Sequence, residues 1–447
     1  MALSKSRCYW LKGTCVLNLF VFLLGICCLF GYLSCKKNTA DSSSPDKKPV
    51  IPSILAITSL SNSSGPFNAV VTIRGTGFGK DTTQNKVTFN GKPGKILKVT
   101  DTAITVKVPK GAGTGVVAVV LKNSKATGPV FTYQYTITNV YTFVGNSSDV
   151  SVDGTGTNAS FHGFRSITAD KLGNIYISDP SDHIIRKITA NAVVTTLAGS
   201  GKAGFANGKG RLASFSTPSG IVADSIGNVF VNDLGNRLIR KIAPDGTVTT
   251  LAGSITNPVV DGKGPAAGFS GQLNAITIDQ YNNLYVLDDN NFRKITSEGV
   301  VTTLPPKFPG NAVTGLAIDK NGVFYMSAGH TIIKILPSGP VSLFAGTDLQ
   351  GARNGPGLQA AFYFPTGIAF DKAGNLMVAD TDNWMIRMIS PSAYVTTLTG
   401  RPNSGYPTVD GPADVATFYA PFTIAFDASG NLFIADQDHR IKKAVFE

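Results

Sequence analysis

The chain has 447 residues, only 15 % of them charged, with 48 glycines and 24 prolines. That is enough for two or three domains, and the mix suits many short strands and turns rather than helices. The formal charge of +12 is unevenly spread: residues 1–50 carry +5, residues 51–139 carry +8, and residues 140–447, with 23 basic and 24 acidic groups, carry −1. A neutral C-terminal segment argues against a nucleic-acid-binding role for most of the chain.

In chain order, Lys5, Arg7 and Lys12 precede an apolar run from Thr14 to Leu33, the pattern of an N-terminal targeting segment. The run closes on Ser34-Cys35 and turns polar at Lys36-Lys37. A small residue before a Cys at the end of such a run resembles the lipobox of bacterial lipoproteins, although Tyr32 stands where that family has an aliphatic residue. The resemblance implies a signal peptide over 1–35, lipidation of Cys35 and attachment to the outer membrane, facing the cell surface or the periplasm. The alternative is an uncleaved signal anchor, since 20 apolar residues can just span a bilayer. All five cysteines lie in the first 35 residues, so no disulfide framework is expected beyond them. Residues 36–50 are polar, contain proline and read as a flexible tether.

From residue 51 the pattern becomes period-two alternation, as in Val71-Thr72-Ile73, Val87-Thr88-Phe89, Ile104-Thr105-Val106 and Phe131-Thr132-Tyr133. Turn signals separate these runs, and roughly seven short strands over 51–137 predict a β-sandwich. The run Val71-Thr72-Ile73-Arg74-Gly75-Thr76-Gly77-Phe78-Gly79 and the closing Phe131-Thr132-Tyr133 resemble an IPT/TIG domain, an immunoglobulin-like fold. That resemblance implies a spacer or protein-contact module, not an enzyme. The ten basic residues of this segment are dispersed along it and read as a solvated face.

Residues 140–447 repeat one unit six times, aligned on Asp170, Asp224, Asp279, Asp319, Asp371 and Asp427 at spacings of 54, 55, 40, 52 and 56 residues. Each Asp opens a hairpin, five of them continuing with Asn and a second strand; a third strand of the type Ile239-Arg240-Lys241-Ile242 and a fourth of the type Val248 to Leu251 follow. These strings resemble NHL repeats and imply a six-bladed β-propeller over 140–447. The sixth copy ends after its third strand, and Val140-Tyr141-Thr142-Phe143-Val144-Gly145 carries the pattern of the missing fourth. The expected fold class is therefore all-β: an immunoglobulin-like sandwich followed by a six-bladed propeller that this N-terminal strand closes. The same closure is expected to set the sandwich beside the first and last blades. The third copy loses about fifteen residues of connection, which predicts an opening on that face of the ring.

Most polar residues that look functional singly are explained by repetition. His183, His330 and His439 share one repeat position and lie on different blades, so no metal site is expected from them. Asp179, Asp233, Asp288, Asp380 and Asp436 recur after the second strand, broken only by Ala328, and read as turn caps; a calcium-binding propeller hydrolase would use such carboxylates instead. No catalytic motif, metal site or cofactor is expected. The exception is Trp384, which occupies the His/Arg position of the fifth copy on the face that bears the long connections with Tyr363, Tyr406 and Tyr419. Aromatic platforms of this kind stack on sugar rings or bury a protein partner. The expectation is a monomeric envelope lipoprotein, held to the membrane through Cys35, that binds a glycan or a protein and no nucleic acid. The competing expectations are a metal-dependent propeller hydrolase or lyase, lactonase-like or amidating-lyase-like, and a structural envelope scaffold.

Overall fold

A computed structural model describes residues 54–134, 136–305 and 313–446. The expected signal peptide, Cys35, the tether and most of the short connection after the third repeat lie outside the described residues. Among the described residues, no helix is long and apolar enough to cross a membrane.

The first segment is a sandwich of two sheets. One sheet pairs Ala56–Leu60, Val70–Thr76, Ala103–Lys107 and Lys95–Thr100 in that spatial order. The other orders Ser64–Gly65, Ser124–Tyr133, Gly115–Leu121, Asn85–Phe89 and Lys92–Pro93. This makes nine strands rather than roughly seven, because two are pairs of residues too short to show alternation. The period-two runs bury one face as expected: Val71, Ile73, Ile104 and Val106 from one sheet meet Val87, Phe89, Val117, Val119 and Phe131 from the other. Gly75 explains the Gly-x-Gly-Phe motif. A Cβ there would lie 2.0 Å from the Ala56 carbonyl oxygen, so only glycine lets the first strand pass, and the turn then delivers Phe78 into the core.

The second segment is a ring of six blades. Their inner strands, Ser166–Ala169, Pro218–Ala223, Leu273–Ile278, Val313–Ile318, Pro365–Phe370 and Pro421–Phe426, pack each against the next, the last against the first. The aligned Asp caps each hairpin as the sequence implies. Asp224, for example, accepts the Ile226 and Asn228 backbone N–H groups at 3.0 and 2.8 Å and the Asn228 side-chain amide at 2.6 Å. The ring closes through Ile137–Val144, which pairs antiparallel with the last strand, Arg440–Phe446. That strand belongs to the sixth blade from Ile137 onward, three residues before the repeat pattern becomes visible. It is held on its other side too: Val140 and Gly411 exchange both backbone hydrogen bonds at 2.8 Å. The sandwich meets the ring on the hairpin face, where Lys92, Lys110 and Gly111 share a cavity of about 330 Å³ with residues of blades five and six. The expectation of the first and last blades is thus corrected to the last two, because the chain enters the ring through blade six.

Candidate functional site

The face opposite the hairpins carries the loops between second and third strands together with the long inter-blade connections. What holds these connections is a staple written into four blades. Arg186, Arg240, Arg293 and Arg387 on the third strands are fully buried. Arg240 donates to Asp233 Oδ2 at 2.7 Å, to Asn207 Oδ1 at 2.9 Å and to the carbonyls of Ala206 and Ser214, with its guanidinium 5.2 Å from the Phe215 ring centroid. Arg387 repeats this with Asp380, Asn354 and Phe362, and Arg293 with Asp288, Asp261 and Phe269. Arg186 binds Asp153 and lies over Phe161. Asp233, Asp288 and Asp380 also accept a backbone N–H from the incoming connection, at Ser216, Ser270 and Tyr363. The reading of this series as simple turn caps is corrected: these three are the buried partners of arginines. Desolvation raises the pKa of Asp233 and of Asp380, and the arginine and amide partners pull against that rise.

Blade four lacks both charged parts of the staple. Ala328 replaces the Asp, Ile333 replaces the Arg, and the connection that would supply the Phe is the short one after Leu304. Replacing both members of a buried charge pair by apolar residues leaves no charge unpaired. Blade six is a variant. Lys442 takes the arginine position, bonding Asp410 at 2.7 Å and lying 6.0 Å from the Phe418 ring, and Asp436 is left with the Tyr419 N–H. Burial, with the charge of Asp438 behind it, pushes the Asp436 carboxyl up to about 7.

The His/Arg/Trp position joins neighbouring blades. His183 Nδ1 accepts the Thr217 N–H at 3.1 Å and His330 Nδ1 accepts the Phe364 N–H at 3.3 Å, each across a blade boundary. Trp384 reaches across the next boundary to Tyr419, ring centroids 5.8 Å apart, and Tyr406 meets Tyr419 at 6.1 Å. Three of the four expected aromatics are therefore one group, with Tyr406 61 % and Tyr419 42 % exposed. Tyr363 is not in it. It packs on His330 and the exposed Phe364 one blade earlier, centroids 5.6 and 5.7 Å away.

Two features of this face escape a reading of repeats. His162, in the first connection, bonds Asp182 at 2.9 Å, and Asp149 stands 3.9 Å from it and 3.8 Å from His439. The bond to Asp182 raises the His162 pKa against a smaller desolvation effect. The second is Arg165 at the mouth of the central channel, a cavity of about 360 Å³ lined by the inner strands. Its guanidinium lies 5.5 Å from the Phe422 ring centroid, and desolvation at the mouth lowers its pKa. A side pocket of about 380 Å³ shares Arg165 and Phe422 with Phe164, Gln437 and His439. The signal was available: Arg165 aligns with Ser219, Asn274, Thr314, Thr366 and Phe422, none of them charged. Among the described residues, no three His, Cys, Asp or Glu side chains are grouped to hold a metal ion.

Comparison with known proteins gives each segment a context. Residues 55–143 match the IPT/TIG domain model, whose last residues overlap the strand that closes the ring. NHL repeat-containing protein 2 of Gallus gallus is 26 % identical over 311 residues, 67 % of this chain and 41 % of that protein; Teneurin-4 of Mus musculus is 24 % identical over 289 residues, 51 % of this chain and 10 % of that protein. The chain thus spans less than half the length of these curated relatives. Among solved structures, a structural genomics protein of unknown function from Bacteroides thetaiotaomicron superposes with a TM-score of 0.59 at 22 % identity, covering 90 % of this chain and 99 % of that one. An auxiliary nutrient binding protein from Bacteroides ovatus gives 0.55 at 20 % identity with the same coverages. The first segment accordingly has a family match, IPT/TIG, and the whole described chain has the fold of a sandwich joined to a β-propeller, with NHL-repeat proteins among its distant relatives.

Proposed function

We propose that this chain is a binding module of the bacterial cell envelope: a lipid-anchored stalk and sandwich that present a propeller whose connection-bearing face takes up a glycan. The observation that carries the reading is the group formed by Trp384, Tyr419 and Tyr406, aromatic faces in contact with one another and partly open to solvent. Rings so placed bury the apolar face of a sugar without needing a charge. The carboxylates that a metal-dependent hydrolase would draw on are largely committed elsewhere, three of them to buried arginines. The auxiliary nutrient binding proteins of similar fold support a binding role, and the lipobox-like Ser34-Cys35 supports the anchor.

A glycan array probed with the full chain tests this. The expected result is saturable binding to at least one polysaccharide, weakened tenfold or more by Trp384→Ala. Binding unaffected by that substitution removes the aromatic group from the site.

A further inference from the structure

Arg165 is the only charged side chain among the described residues that line the central channel. The four staple arginines each have a carboxylate and several further acceptors; the Arg165 guanidinium, among the described residues, has neither an ion pair nor a hydrogen bond, only the ring of Phe422. Arg165 is exposed at this concave mouth, free to meet a ligand, and its guanidinium fork matches a carboxylate with two parallel hydrogen bonds.

The surroundings define the rest of the ligand. Asn274, Thr314 and Gln437 bring neutral donors and acceptors to the same two cavities, and the Phe164 and Phe422 rings offer apolar faces. Deeper in, the channel is lined mainly by aliphatic residues, with no second cationic side chain among the described residues. A dianion such as phosphate would therefore have one charge without a cationic partner, whereas a single carboxylate is matched by the one guanidinium. A body rich in hydroxyl groups with one carboxylate is an acidic sugar. We infer that Arg165 recognises the carboxylate of a uronic-acid residue, seated between the channel mouth and the Phe164–His439 pocket. The inference rests on the connection-bearing face being the glycan-binding face, and the chain also ties the two together: Phe422, under Arg165, follows three residues after Tyr419.

Calorimetric titration of the full chain with digalacturonate, diglucuronate and their methyl esters tests it. The expected result is that one of the acids binds and its ester, identical but uncharged, binds at least tenfold more weakly. Arg165→Gln should erase that preference, and Arg165→Lys should keep part of it. An unchanged thermal melt for both variants would show that the fold is intact, as expected for a rim residue. Equal binding of acid and ester, or no binding of either acid, overturns the inference, as does inorganic phosphate binding as tightly as the acids. If acid and ester bind equally and Trp384→Ala weakens both, the binding face stands and only the role of Arg165 falls.

Discussion

Arg387 lies wholly out of water and would be untenable there but for Asp380 at 2.7 Å, Asn354 at 2.8 Å and two carbonyls. Breaking one partner of such a buried pair typically costs about 3–5 kcal/mol, because the other charge is left uncompensated. Arg387→Met should therefore lower the unfolding free energy by that order in urea titration. Adding Asp380→Ala to Arg387→Ile, the pairing that blade four already has as Ala328 and Ile333, should cost clearly less than the two single changes together. Equal or larger additive losses would show that the pair is not the unit of stability. Asp436 gives a different signature. Its carboxyl is raised from 3.8 to about 7, chiefly by burial. The folded state thus holds that proton more tightly than the unfolded chain, and stability falls as pH rises from 3.8 to about 7. The uncharged Asp436→Asn should remove this penalty, so the melting temperature of the variant relative to the parent should climb across that window and level off above it. A gain of up to about 4 kcal/mol follows at most from a shift of this size. A constant difference at all pH values would contradict the raised pKa. The hairpin Asp residues were legible from the sequence because their partners lie two and four residues away. The staple was half legible: the Asp and Arg series both repeat visibly, but the Arg–Asn207 and Arg–Asn354 contacts span 33 residues, a separation that only the folded ring explains.

The closing strand is the element on which ring integrity turns. Ile137–Val144 supplies the outer strand of blade six, and Val140 exchanges two hydrogen bonds with Gly411 on its open side. Val140→Pro removes the N–H of one bond and should destabilise the protein by about 3 kcal/mol or more. Differential scanning calorimetry reads this directly, and an unchanged transition would mean that the strand contributes little to closure. The closing strand was legible because its Val-x-Thr-apolar-x-Gly pattern is the one missing from the last copy. The position of the sandwich was not, since a short linker leaving one strand can lead to either neighbour. The role of the His/Arg/Trp position was hidden for a related reason. His183, His330 and Trp384 each act across a blade boundary on residues 34 or 35 positions further on, which no local pattern marks. Trp384 therefore has two duties, closing the boundary between blades five and six and presenting an open ring, and the first explains why it lies only half-exposed.

At the scale of the whole molecule, charge and chemistry are segregated. The sandwich carries the excess of basic residues, nine of its ten exposed and Lys107 partly covered, with one ion pair, Lys80 to Asp101, at 3.9 Å among the described residues. The propeller is near neutral and buries three arginine–carboxylate pairs completely. The two faces of the ring differ in kind: the hairpin face repeats one capped turn six times, and the connection-bearing face is where copies depart from one another, at Ala328, Arg165 and Trp384. The central claim is that ligand is taken up on that second face. Hydroxyl-radical footprinting of the full chain, with and without a glycan it binds, reads it most directly. The account predicts protection of Trp384, Tyr406, Tyr419 and Phe422, with the exposed hairpin residues Leu172, Ile226 and Tyr281 unchanged. Protection of the hairpin residues, with the aromatic group unaltered, would contradict it.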